Sequence, residues 1–331
     1  MNQENLIFGA LAYDDKANPS PSLGLSKIKT GRVFEIYIKN AIVSLISAKR
    51  NNPESGVGLV VNIELEDKWK RMLEDNGILV WVCPFDKFKM PDWLVYSLSY
   101  YKLCAFDYVL NNTDFKRFCF IDCDTISFKN YADLWVECDD AFMIVPNDEP
   151  YYAKVRKEIN ELYTQLYNKD ERTLTHYASG FIIGERKSLL EIIRICQDVY
   201  NRLMVLPKIV AEGGDEIVWS IALADYKGII KSPKTYCLLS FATATSYWID
   251  KQDYTDENVV MWHLPADKRY SMIWAYNYFV KKGNLPPVEK MAKASRIRNV
   301  KTKYSILALQ AILEDKTVIM RNIKKIFCKR R

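Results

Sequence analysis

The chain has 331 residues, 49% of them hydrophobic and 27% charged, with a formal net charge of +6. That is a globular composition with enough length for a large core. No apolar run approaches the roughly 18 residues of a membrane span, and the opening MNQENLIFGALAYDD lacks the basic start of a signal peptide. The expected location is therefore cytoplasmic. The eight cysteines, at positions 83, 104, 119, 123, 138, 196, 237 and 328, form no CxxC pair. They read as reduced, mostly buried thiols, which argues against both a disulfide framework and a zinc site.

In chain order, NLIFGALAY reads as a first strand, followed by a polar loop over 14–31. VFEIYIKNAIVSLISAKRN has helical spacing. GVGLVVNI is a second strand, DKWKRMLEDNG a helix closed by a glycine, and ILVWVCPF a third strand. WLVYSLSYYKLCAFDYVLNN is expected to be helical throughout, and RFCFI to be a strand. This alternation predicts an α/β fold, a mixed but mostly parallel sheet flanked by helices. One domain is expected over 1–285, with a basic amphipathic helical extension over 286–331.

Charge supports that division. From Glu289 to Arg331 there are thirteen Lys/Arg against three Asp/Glu, a local +10, which leaves −4 for the rest. Apolar residues at 306, 309, 312, 313, 319, 320, 323, 326 and 327 form a helical stripe with lysines and arginines opposite. Such a helix either packs on the body or lies peripherally on an anionic membrane surface. Nucleic acid is not an expected partner, because the net positive charge is confined to this tail and accompanies no reader motif.

Chemistry concentrates where RFCFI runs into DCDTI. In folds of this class ligands bind at the carboxyl ends of the strands. Asp122 and Asp124 stand at such an end, and strand alternation would send both carboxylates to one side. Two hard oxygen ligands suit Mn²⁺ or Mg²⁺, and such an ion can bridge a diphosphate. Three later stretches add to this. YASGFIIGERKS (177–188) reads as a small-residue turn opening a strand, where Ser179 and Gly180 allow close approach to a ligand. AEGGDEIVWSIALADY (211–226) is a Gly-Gly turn before a helix. Its Asp215 and Glu216 are either dipole-favoured first-turn charges or carboxylates for a sugar hydroxyl or reacting centre. MWHLPADKRY (261–270) carries His263, an acceptable third ligand, and Lys268, a natural phosphate partner.

Taken in order, YKLCAF, FIDCDTI and YADLW resemble the GT-A-type retaining glycosyltransferases of family 8, the glycogenin-like and bacterial galactosyl- and glucosyltransferase group. The resemblance covers most of residues 5–275. It implies a GT-A, Rossmann-like fold, with Asp122, Asp124 and His263 holding Mn²⁺ (or Mg²⁺). It also implies donor contacts from Tyr13, Lys102, Asp122, Cys123, Ser179, Gly180, Glu212, Gly214 and Lys268. The family's Asn-Ser-Gly is Ala178-Ser179-Gly180 here, and its Asp-Gly-Gly-Asp-Gln is Glu212-Gly213-Gly214-Asp215-Glu216. The His–Lys loop is one residue shorter and lacks the family's Gly and Pro-Trp.

The implied activity is transfer of a sugar from a UDP-sugar donor to a carbohydrate, lipid-linked glycan or protein acceptor, with retention. Asp215 or Glu216 would orient the sugar or stabilise its cationic carbon. The alternative is an inverting enzyme with Glu216 or Asp215 as general base. A nucleotidyltransferase would carry a Gly-rich phosphate loop near the first strand. The only candidate is SLGLSKIKTG, whose Gly24 and Gly31 stand too far apart. A non-catalytic nucleotide-sugar-binding module would keep the fold without needing Asp122, Asp124 and His263 together.

Overall fold

A computed structural model describes residues 4–14, 30–139, 141–148, 152–168, 173–206, 213–239, 256–295 and 297. The first half runs β1 (Asn5–Leu11), α1 (Thr30–Asn51), β2 (Gly56–Val61), α2 (Asp67–Glu74), β3 (Leu79–Val82), α3 (Tyr101–Asn112), β4 (Arg117–Ile121) and β5 (Thr125–Ser127). It continues with α4 (Ala132–Glu137), β6 (Phe142–Pro146), α5 (Ala153–Tyr167), β7 (Tyr177–Glu185), α6 (Arg186–Met204) and α7 (Asp215–Asp225). Last come β8 (Ile230–Lys231), β9 (Cys237–Leu239), β10 (Met261–His263), α8 (Ser271–Lys282) and α9 (Val288–Ala294).

Seven strands form one sheet in the order β3-β2-β1-β4-β7-β6-β8. All neighbours are parallel except β7, which runs antiparallel between β4 and β6. The expected mixed, mostly parallel α/β sheet is what the chain forms. Its inner strands are buried on both faces, and all six residues of β2 are buried. Alternation sorts their side chains into two cores. Leu6 and Phe8 of β1 and Phe118 and Phe120 of β4 pack with α3, α6 and α7. Ile7, Cys119 and Ile121 pack on the other side with α1, α2 and α8. Each such fully buried aliphatic or aromatic side chain contributes about 2 kcal/mol.

Two features position the site. First, β2 and β3 extend the sheet on one side of β1 while β4 lies on the other, so the strand order reverses between β1 and β4. Both strands point the same way, and a reversal of this kind opens a crevice at their carboxyl ends. Second, β5 and β10 pair antiparallel in a small second sheet, with His263 opposite Thr125. A polar stripe on α1 clasps that sheet. The Ser47 hydroxyl accepts from Ser127 N at 2.8 Å, and Asn51 donates to Ser127 O at 3.1 Å. Asn52 accepts from Tyr131 N at 2.7 Å.

The chain departs from expectation at 93–112. Only Tyr101–Asn112 is α-helical; a 3-10 turn spans Ser97–Tyr100, and Tyr96 before it is left-handed, with φ of 63°. That conformation cannot continue a right-handed helix. Toward the C-terminus the core continues through Met291, Ala292 and Ile297, packed with α8. Residues 298–331, which carry the basic amphipathic stripe, and 15–29 of the polar loop lie outside the described residues. No helix among the described residues is long and apolar enough to cross a membrane. The seven described cysteines are all free.

Candidate functional site

Asp122 and Asp124 meet for a different reason than strand alternation. The strand stops at Ile121, and residues 122–124 form a tight turn into β5. Thr125 Oγ1 closes it by donating to Asp122 O at 2.8 Å, and Ser44 Oγ bonds Thr125 Oγ1 at 2.7 Å. Asp122 N donates to Gly180 O at 3.0 Å, and Leu264 N donates to Asp124 O at 2.9 Å. Both aspartate backbones are thus held by neighbouring elements.

The pairing of β10 with β5 brings His263 against this turn. Its Nε2 lies 3.2 Å from Asp124 Oδ1 and 3.5 Å from Asp122 Oδ2. One ligand atom from each of Asp122, Asp124 and His263 lies within 4.8 Å of the others, a spacing that can hold one metal ion. Lys268 follows on the next loop and ion-pairs with Asp124. Its backbone is fixed by Asn40, which donates to Lys268 O at 2.9 Å. Burial would raise the Asp124 carboxyl, but the adjacent Lys268 and His263 hold it well below the usual carboxylate range.

Gly180 is required here by close approach. A Cβ at this position would stand 2.5 Å from His263 Cε1 and 2.9 Å from Asp122 Oδ2. The sequence expectation is that its missing side chain allows close approach to a ligand; in the structure His263 and Asp122 take that room. Nor is Ala178-Ser179-Gly180 a turn. It lies within β7, where the register to β6 shifts between Ile144 and Val145. The irregularity leaves Ser179 and Gly180 unpaired with β6.

A second polar cluster adjoins the first through Lys102. This ammonium lies 3.0 Å from Asp122 Oδ1, 2.9 Å from Ser179 Oγ and 3.8 Å from Asp215 Oδ2. Burial pulls its pKa down, but Asp122 first and then Asp215 keep it charged and above the ordinary lysine range. Asp215 opens α7 behind Gly214, whose φ of 64° suits glycine. Its N–H donates to Ser99 Oγ at 3.1 Å. Asp215 is buried, and burial pushes its carboxyl up to about 6 despite Lys102. Glu216, the next residue, accepts from Ser179 N at 3.3 Å through Oε1 and pairs with His176 Nε2 at 2.7 Å through Oε2.

The remaining expected residues fall as follows. Tyr13, just past β1, is clamped at its backbone by Asn62 at the end of β2: Tyr13 N donates to Oδ1 at 2.7 Å and Nδ2 donates to Tyr13 O at 2.8 Å. Its ring meets Phe34 edge-on at 5.1 Å. Cys123 points back over β1, its thiol donating to Ala10 O at 3.4 Å, and burial pushes its pKa up. Glu212 lies outside the described residues. Sequence reasoning missed Asn62, Ser99 and His176. Asn62 did carry a signal, being a polar residue directly after an apolar strand, as Asp122 is.

No family model matches the chain, and no curated protein matches it. Among solved structures it is similar to the galactosyltransferase LgtC in complex with donor and acceptor sugar analogs. Identity is 14%, coverage 88% of this chain and 99% of that one, and the TM-score 0.48.

Proposed function

We propose that the chain is a metal-dependent glycosyltransferase moving a sugar from a UDP-sugar to a carbohydrate, lipid-linked glycan or protein acceptor. The observation that carries this is the convergence of Asp122, Asp124 and His263 at the strand-order reversal, flanked by Lys102 and Lys268. Two carboxylates and one imidazole are a donor set that Mn²⁺ or Mg²⁺ accepts, and the absent Cβ of Gly180 leaves the ligands their room. The likeness of FIDCDTI and YKLCAF to family 8 supports the same reading.

When bound, the ion neutralises charge on the departing diphosphate. The chain's own residues do the rest. Lys268 and Lys102 lie on either side of the aspartate turn and present two ammonium groups to phosphate oxygens. Tyr13, fixed by Asn62 beside the end of β1, offers a ring to the base. Asp215 and Glu216 sit across Lys102 from the metal ligands, where the sugar would follow the diphosphate. Developing positive charge on the anomeric carbon is stabilised by their carboxylates. In the retaining course the acceptor hydroxyl enters on the leaving-group side and passes its proton to the departing phosphate. An inverting course has one specific observation in its favour. A carboxylate, Glu216, stands where the resembled family has an amide, and it is partly open to solvent.

The residues from 298 onward, basic in sequence, are proposed to hold the enzyme at an anionic membrane surface. The test of the proposed activity is hydrolysis of a panel of UDP- and GDP-sugars by the purified chain, without acceptor, in Mn²⁺ or EDTA. Slow Mn²⁺-dependent hydrolysis of one donor is expected. No hydrolysis and no nucleotide binding with any donor would point instead to a binding module or another nucleotide chemistry.

A further inference from the structure

We infer that His176 is a positioning residue that sets the carboxylate of Glu216; this rests on the proposed transferase reading and deepens it. His176 sits one residue before β7 with its side chain fully buried, and its Nε2 is 2.7 Å from Glu216 Oε2. Its ring stands edge-on to Tyr152 at 5.2 Å between centroids. Its carbonyl accepts from Asn147 N at 2.7 Å, which locks the backbone. The other ring nitrogen, Nδ1, is buried without a hydrogen-bond partner among the described residues.

A carboxylate oxygen can only accept, so Nε2 carries a proton at this contact and donates it to Glu216. Ser179 N donates to the other oxygen, Oε1, at 3.3 Å. With one donor on each oxygen, both supplied from the β7 segment, the plane of the carboxylate is fixed while part of Glu216 stays open to the crevice, at 27% exposure.

A merely architectural role for His176 is redundant. The seating of α7 on β7 is already secured by Ser220, whose Oγ accepts from Tyr177 N at 2.9 Å and donates to Glu216 O at 2.6 Å. Ile217, Val218 and Trp219 bury the rest of that helix turn. What His176 adds is a donor aimed at one carboxylate oxygen.

The test compares wild type, His176→Phe and His176→Gln for Mn²⁺-dependent hydrolysis across the same panel of UDP- and GDP-sugars, with kcat and KM measured separately. His176→Phe keeps an aromatic ring against Tyr152 but loses the donor; His176→Gln restores an N–H near the position of Nε2. The expected result is a kcat about 10- to 100-fold lower in His176→Phe with KM within about twofold, and most of that loss recovered in His176→Gln. Wild-type kcat in His176→Phe, or a His176→Gln variant as impaired as His176→Phe, would overturn the inference while leaving the transferase reading standing. A wild type that turns over no sugar of that panel, under conditions where it binds UDP and Mn²⁺, defeats the transferase reading and this inference with it.

Discussion

Replacing Gly180 by alanine adds one methyl group against the proposed metal ligands and nothing else. The added Cβ would lie 2.5 Å from His263 Cε1, 3.0 Å from His263 Nδ1 and 2.9 Å from Asp122 Oδ2. Ordinary contact begins near 3.4 Å, so the imidazole must retreat by about 0.9 Å and the carboxylate by about 0.5 Å. Both side chains are partly exposed, at 16% and 25%, and can move into the crevice. The fold should survive, at a cost of about 1–3 kcal/mol for the overpacked position. The ligand set should not. A displacement of about 1 Å costs on the order of 100-fold where reacting groups must be placed, and disturbed ligand orientation lowers metal affinity about 10- to 100-fold. Calorimetric titration with Mn²⁺ on wild type and Gly180→Ala, each checked for a cooperative thermal transition, reads this directly. A well-folded Gly180→Ala chain that binds Mn²⁺ as tightly as wild type would refute the assignment of these three residues as one metal site.

Asp215→Asn should raise stability at neutral pH while lowering turnover. The folded carboxyl titrates near 6 against an ordinary 3.8, chiefly because it is buried. Between those values the folded chain holds a proton that the unfolded chain has released. The stability is therefore full below about pH 4 and lost as pH rises through 6, by up to about 3 kcal/mol. Thermal unfolding from pH 4 to 8 should show that slope flattened in Asp215→Asn; an unchanged slope would contradict it. Asn62→Ala removes both hydrogen bonds that hold the Tyr13 backbone. It should cost about 1–3 kcal/mol and raise the KM for a UDP-sugar while leaving Mn²⁺ affinity at the wild-type value. A shifted Mn²⁺ affinity with unchanged KM would remove Tyr13 from the donor site.

The sheet was legible in the sequence because its signals are local. Apolar runs such as GVGLVV and RFCFI alternate with helical periodicities, and each run became a strand of the parallel sheet. The failure at 93–112 is also physical. Helical spacing cannot reveal that Tyr96 adopts a left-handed conformation, which stops the helix short. The candidate metal-site residues were readable as residue types after strands, but not the way they meet. Asp122 and Asp124 converge through a turn closed by Thr125 and braced by Ser44, 81 positions away in sequence from Thr125. In sequence Gly180 reads as space for a ligand, whereas the space is filled by His263, which only the antiparallel β5–β10 pairing brings there. His176 escaped notice for the same reason: nothing near it in sequence announces Glu216, 40 residues on.

The most direct measurement is UDP binding by calorimetry in Mn²⁺ and in EDTA, on wild type and Asp122→Ala. If Asp122, Asp124 and His263 hold a metal that bridges a nucleotide diphosphate, wild type binds UDP tightly only with Mn²⁺, and Asp122→Ala loses at least about 100-fold of that affinity with its fold intact. Equal UDP affinity in Mn²⁺ and EDTA, or undiminished Mn²⁺-dependent binding by Asp122→Ala, would contradict the account.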